Sequence, residues 1–155
     1  MPLLFATAGC RSSDAFAGPD PLSSRPPLSH DVVTLQAVIT AEEALVRLYQ
    51  AAIAGRSAAA PGSSMLQPLL TQHEQHLTRL RSMLVIPKGA SASPSGSPSA
   101  SATPAAPVTT ATLRAAERAS AASLVQKLAT VQPSLAQLFA SIAASDATHV
   151  AVLGG

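Results

Sequence analysis

The 155-residue chain has no tryptophan, one tyrosine and three phenylalanines, and this scarcity excludes two broad classes. Strands draw on aromatic and β-branched residues, which are too few here to fill a sheet. Single-stranded nucleic acids need aromatic platforms on which bases stack, and the chain offers none. Charge is sparse as well, at 12% of residues, and the net charge is only +2 with the arginines scattered. No basic stripe exists that would release counterions from a nucleic acid. Beyond the first ten residues, no stretch reads as the ~18–20 apolar residues of a membrane-spanning helix.

Alanine is what the chain has in plenty, at 32 residues, and it favours helices with close-packed, small-residue interfaces. The length is that of one ordinary domain. Residues 11–29 and 88–108 are dominated by Ser, Pro, Gly and Ala, and cannot bury enough apolar surface to offset the entropy of ordering them. They are expected to be a disordered tether and a disordered linker, which leaves about a hundred residues for one core.

Residues 1–10 read Met-Pro-Leu-Leu-Phe-Ala-Thr-Ala-Gly-Cys, an apolar run ending in small residues before the only cysteine. This resembles the end of a bacterial lipoprotein signal peptide, which implies acylation of Cys10 and a protein held at the extracytoplasmic face of the cell membrane. Thr7 stands where that motif usually has Leu, and no basic residue precedes the apolar run, so the true start is expected upstream of Met1. The alternative is a free thiol.

Four stretches have helical periodicity. Val32, Leu35, Val38, Ile39, Leu45, Val46, Tyr49 and Ile53 line one face over 31–54, with Ser29 or Asp31 as cap and Gly55 as stop. A second helix runs from Met65 or Pro68 to Ile86, Pro68 being tolerable only in a first turn. A third covers 110–131 and a fourth 134–153. Short breaks join the first two and the last two, so each pair is expected to be an antiparallel hairpin, with 88–108 long enough to cross over along the bundle. The predicted fold is an all-α four-helix bundle over 30–155.

Charged and imidazole side chains interrupt every apolar stripe. At 100° per residue, Glu42 sits at the centre of the first face and Glu43 at its edge. His73 is central on the second, His76 lies toward one side and Glu74 turns away. Glu117 falls between Leu113 and Leu124, and Asp146 and His149 lie within the fourth face. With the crossover, the six groups share a slab about 8 Å thick at 1.5 Å per residue. Leaving a charge buried and unpaired costs several kcal/mol against a total stability of ~5–15 kcal/mol, so these groups must compensate one another or bind something.

With these residues the chain resembles ferritin-like four-helix bundles of the di-iron or di-manganese carboxylate kind, which place a Glu on each of two helices and Glu-x-x-His on the other two. Glu42, His73-x-x-His76, Glu117 and Asp146-x-x-His149 match in order, with His73 replacing a Glu and Asp146 shortened from one. The segments Ser-Ile-Ala-Ala-Ser-Asp-Ala-Thr-His-Val and His-Glu-Gln-His-Leu are also similar to uncharacterised ferritin-like lipoproteins of high-GC Gram-positive bacteria. The resemblance implies that Glu42, His73, His76, Glu117, Asp146 and His149 hold Fe, Mn or Zn. One imidazole nitrogen binds one metal, so His73 in a bridging position favours a single or asymmetric site.

Two alternatives stay open: a metal-free structural module, in which three carboxylates and three protonated imidazoles neutralise one another and an envelope protein is the partner, and a small oxidoreductase. Ser145, Asp146 and His149 occupy one helical turn without a nucleophile elbow, which argues against a hydrolase triad. Met65 and Met83 read as core filler, and His30 as a solvated residue.

Overall fold

The computed structural model describes residues 28–56, 62–86 and 107–154, which form four α-helices and no strand. They are α1 (His30–Ala54), α2 (Ser63–Met83), α3 (Thr110–Lys127) and α4 (Pro133–Val152). Cys10, the tether as far as residue 27 and linker residues 88–106 lie outside the described residues.

Two of the four helices start where a side chain satisfies a free amide, and the other two start on a glycine or a proline. The Ser29 hydroxyl accepts from the Val32 amide at 3.3 Å, and Thr109 does the same for Thr112 at 3.1 Å. Gly62 precedes α2 with φ of 77°, a left-handed position that glycine adopts without strain. Pro133 occupies the first turn of α4, where its missing amide costs nothing.

The boundaries differ from the sequence expectation mainly in α2. That helix begins two residues before Met65 and carries Pro68 inside it, at its sixth residue. The amide lost at Pro68 would have bonded the carbonyl of Ser64, an exposed residue near the helix start, so the lost bond lies outside the core. α2 ends at Met83, and Leu84 is already extended (φ −80°, ψ 104°). α3 ends at Lys127, short of Val131, yet Leu128 and Val131 still pack on the core from the turn that follows. His30 is the first residue of α1 and is exposed.

The interior divides into two apolar clusters. Leu35, Val38 and Ile39 from the first half of α1 pack with Leu77 and Leu80 late in α2, Leu124 late in α3, and Leu135, Phe139 and Ile142 early in α4. Tyr49 and Ala52 late in α1 pack with Leu66, Leu69 and Leu70 early in α2, Leu113 early in α3, and Leu153 beyond α4. Between the two clusters each helix buries at least one titratable residue. α4 has the length and apolarity to cross a membrane, a property not recognised in the sequence reading, but its buried face carries Asp146 and His149.

Truncating Phe139, which is fully buried, to alanine should cost ~3–5 kcal/mol, whereas Val125→Ala at a 57% exposed position should stay within ~0.5 kcal/mol. Urea midpoints of the two variants test the packing; equal midpoints would contradict it.

Candidate metal centre

Glu42 on α1, His73 on α2, Glu117 on α3, and Asp146 and His149 on α4 are each at most 2% exposed. His76 is half-buried, its side chain 17% exposed. All six residues singled out from the sequence therefore reach the layer between the apolar clusters, as two sets that overlap at one residue. His73, Glu117, Asp146 and His149 offer ligand atoms within 4.8 Å of one another, and so do Glu42, His73 and His76.

His73 is the joint. Its Nδ1 lies 2.8 Å from Glu42 Oε1 and its Nε2 lies 2.8 Å from Glu117 Oε1. Carboxylate oxygens only accept, so without a cation both ring nitrogens must donate and the ring is imidazolium. Burial alone would lower its pKa, but the Glu117 and Glu42 carboxylates outweigh that and carry it up to about 9.

Glu117 Oε1 accepts from three side chains: the Tyr49 hydroxyl, His73 Nε2 and, at 3.2 Å, His149 Nδ1. Burial pushes its pKa up, but the His149 and His73 hydrogen bonds, the His73 charge and the Tyr49 hydrogen bond hold it down at about 2. Glu42 follows the same balance: hydrogen bonds from His73 and His76 overcome its burial and keep it below the usual carboxylate range. Burial and the adjacent Glu117 push the Tyr49 phenol far above its ordinary value.

His149 is fixed from the opposite side. Its Nε2 donates to Gln72 Oε1 at 2.7 Å, and the Ser145 hydroxyl donates to the same oxygen at 3.2 Å. With Nε2 committed to Gln72, Nδ1 faces a carboxylate oxygen and carries either a proton or a cation.

Asp146 stands outside this network. Among the described residues, neither of its oxygens has a hydrogen-bond partner, and Glu117 Oε2 also lacks one, although all three atoms are buried. Burial raises Asp146 most; the Ser120 hydroxyl, close enough to pull it down although no hydrogen bond forms by geometry, and the His73 charge oppose this, the Glu117 and Glu42 charges push it up, and the result is about 6. Chemically, the layer is a set of oxygen and nitrogen donors with lone pairs directed at one another and protons holding them together.

Sequence reasoning missed Tyr49, Gln72 and Ser145 as members of this layer. In the sequence Tyr49 reads as core, although it follows Glu42 by two turns on the same face. Ser145 lies one turn before His149, the one readable sign of its position. Gln72 carried no signal, because it is an exposed residue adjacent to a buried one.

The pH dependence of stability separates these groups. Glu117, with its pKa lowered from 4.5 to about 2, contributes stability above 4.5 that is lost as pH falls toward 2. His73, raised from 6.5 to about 9, contributes below 6.5 and loses that contribution as pH rises through 9. Asp146 acts in the opposite sense to Glu117. Raised from 3.8 to about 6, it keeps a proton in the folded state that the unfolded chain releases, so stability falls between pH 4 and 6. Above that window the loss is on the order of 3 kcal/mol. In chelator-treated protein, Asp146→Asn should abolish the fall and raise stability at pH 7.5 by an amount of that order; parallel pH profiles for variant and wild type would refute this assignment. Compared with known proteins, this chain is matched by no family model, no curated protein and no solved structure, so the reading of the centre rests on its geometry.

Proposed function

We propose that the chain is a ferritin-like four-helix bundle whose core holds one or two divalent metal ions, carried on a lipid anchor at Cys10 on the extracytoplasmic face of the cell membrane. The observation that carries the metal reading is the set of three buried carboxylate oxygens, two on Asp146 and one on Glu117, that have no partner among the described residues. Uncompensated buried carboxylates are strongly destabilising, and a cation beside His73 and His149 relieves the cost.

The donor set fits. Glu117 and Asp146 bring two negative charges and His73 and His149 two neutral nitrogens, so one divalent ion leaves this part of the core uncharged. Ligands bonded at about 2.1 Å lie about 3.0–3.4 Å apart across a metal, and the nitrogen–oxygen contacts here are 2.8–3.2 Å. Mixed oxygen and imidazole donors suit Fe, Mn or Zn. The protein's residues would orient the ion, exclude water from it and hold it through second contacts such as Gln72 to His149; the ion would supply Lewis acidity.

The composition of the two apolar clusters supports the ferritin-like arrangement. The first half of α1 sharing a cluster with the ends of α2 and α3 and the start of α4 is what antiparallel pairs joined by a long crossover require. A second reading, a metal-free ion network serving contacts with envelope proteins, is favoured by the two 2.8 Å contacts of His73, which set one imidazolium between Glu42 and Glu117 and offset one of their two charges.

Metal analysis of protein purified without chelators separates the two. Bound metal in wild type, an affinity at least tenfold weaker in Asp146→Ala, and a melting temperature that rises with added Mn²⁺ or Zn²⁺ support the metal centre; ligand at 100 times Kd adds ~2.7 kcal/mol. A metal-free preparation whose melting is unmoved by either ion favours the network. The anchor is tested by fractionating cells that express the chain from its native locus: Cys10→Ser should shift it from the detergent-soluble to the aqueous pool, and an unchanged distribution rejects lipidation.

A further inference from the structure

The two ligand sets share a single side chain, and they share it through opposite edges of its ring. We propose that His73 is a two-sided ligand that holds a retained cation through Nε2, with Glu117, Asp146 and His149, and a second, exchangeable cation through Nδ1, with Glu42 and His76. This inference rests on the metal-binding reading above.

The geometry gives each ion its own donors. Glu42 and His76 belong to one set only, as do Glu117, Asp146 and His149 to the other, and His73 is common to both. His76 Nδ1 lies 3.1 Å from the same Glu42 oxygen that His73 Nδ1 approaches at 2.8 Å, so the outer set is as closely spaced as the inner one. A single ring nitrogen cannot serve two metals, but a ring that gives up both N–H protons offers one lone pair to each. Two N–metal bonds replace two N–H bonds and both protons pass to solvent.

Charge counting agrees. Three carboxylates and the doubly deprotonated ring carry four negative charges, which two divalent ions match. A core this dry requires such a balance.

Access distinguishes the two positions. Every member of the inner set is at most 2% exposed. The outer set reaches water through His76, and Glu42 walls a cavity of about 250 Å³ between α1 and α3, held open by the small residues Ala37, Ala41, Ser120 and Ser123. An ion on the Nδ1 side therefore exchanges with solvent, and one on the Nε2 side is sealed behind it.

The test loads chelator-stripped full-length protein with Co²⁺ by equilibrium dialysis and, separately, with Cu²⁺ for electron paramagnetic resonance. Two equivalents of Co²⁺ are expected, of which brief exposure to EDTA removes one. His76→Ala and Glu42→Gln, both outside the inner set, should bind one equivalent that resists the same wash. In the two-copper form, coupling through the ring should reduce the integrated signal well below that of two isolated ions. One equivalent in wild type, unchanged by His76→Ala, overturns the two-sided ligand and leaves the single-ion reading intact. Two equivalents with a full two-spin signal overturn the shared ring. No bound metal in wild type overturns the parent reading and this inference together.

Discussion

Charges placed in a dry layer must be neutralised within that layer, and the rest of this structure is arranged around that requirement. Its focus is Glu117 Oε1, where a phenol from α1, an imidazole from α2 and an imidazole from α4 converge on one oxygen of α3. All four helices are tied at this height, with apolar clusters on either side. The apolar clusters supply most of the driving force for folding, but they are compatible with several registers of helix against helix. The polar layer is not, because sliding any helix by one turn would leave a buried charge without its partner, at a cost comparable to much of the stability of a domain this size.

Protons and cations are interchangeable solutions to the same electrostatic problem. In the metal-free form, protons on His73 and on Asp146 keep the layer near neutral, which is why one pKa is raised by its neighbours and the other by burial. The protonic solution is incomplete at neutral pH, since Asp146 then ionises with no hydrogen-bond partner among the described residues. A bundle optimised for stability alone would put an apolar residue there. In the metal reading proposed above, this carboxylate is the group that a cation would satisfy, local stability of the metal-free protein being given up for binding.

Much of this was legible from residue order, because the helical period fixes which side chains share a face. Glu42, His73, Glu117, Asp146 and His149 each fall on an apolar stripe and each is buried, and His76, placed at the side of its stripe, is half-buried. Partners across helices were less legible. Tyr49 reads as a core aromatic until α3 is placed beside it, and the reach of Gln72 to His149 depends on the closeness of α2 and α4. Boundaries failed where one rule was applied without context: Pro68 is accommodated inside α2 because the carbonyl it deprives is at an exposed residue, and the apolar rhythm at Leu128 and Val131 continues past the end of α3. The sense proposed for the helices rests on a further assumption, a common height for the charged groups.

The phenol bonded to Glu117 belongs to the only tyrosine in a chain without tryptophan. Near-ultraviolet absorption and intrinsic fluorescence of the folded protein therefore come almost wholly from one chromophore, seated against the centre itself. A cation replacing the protons around that carboxylate, as proposed above, would alter the hydrogen bond to the phenol, so the tyrosine signal would report occupancy without an added dye.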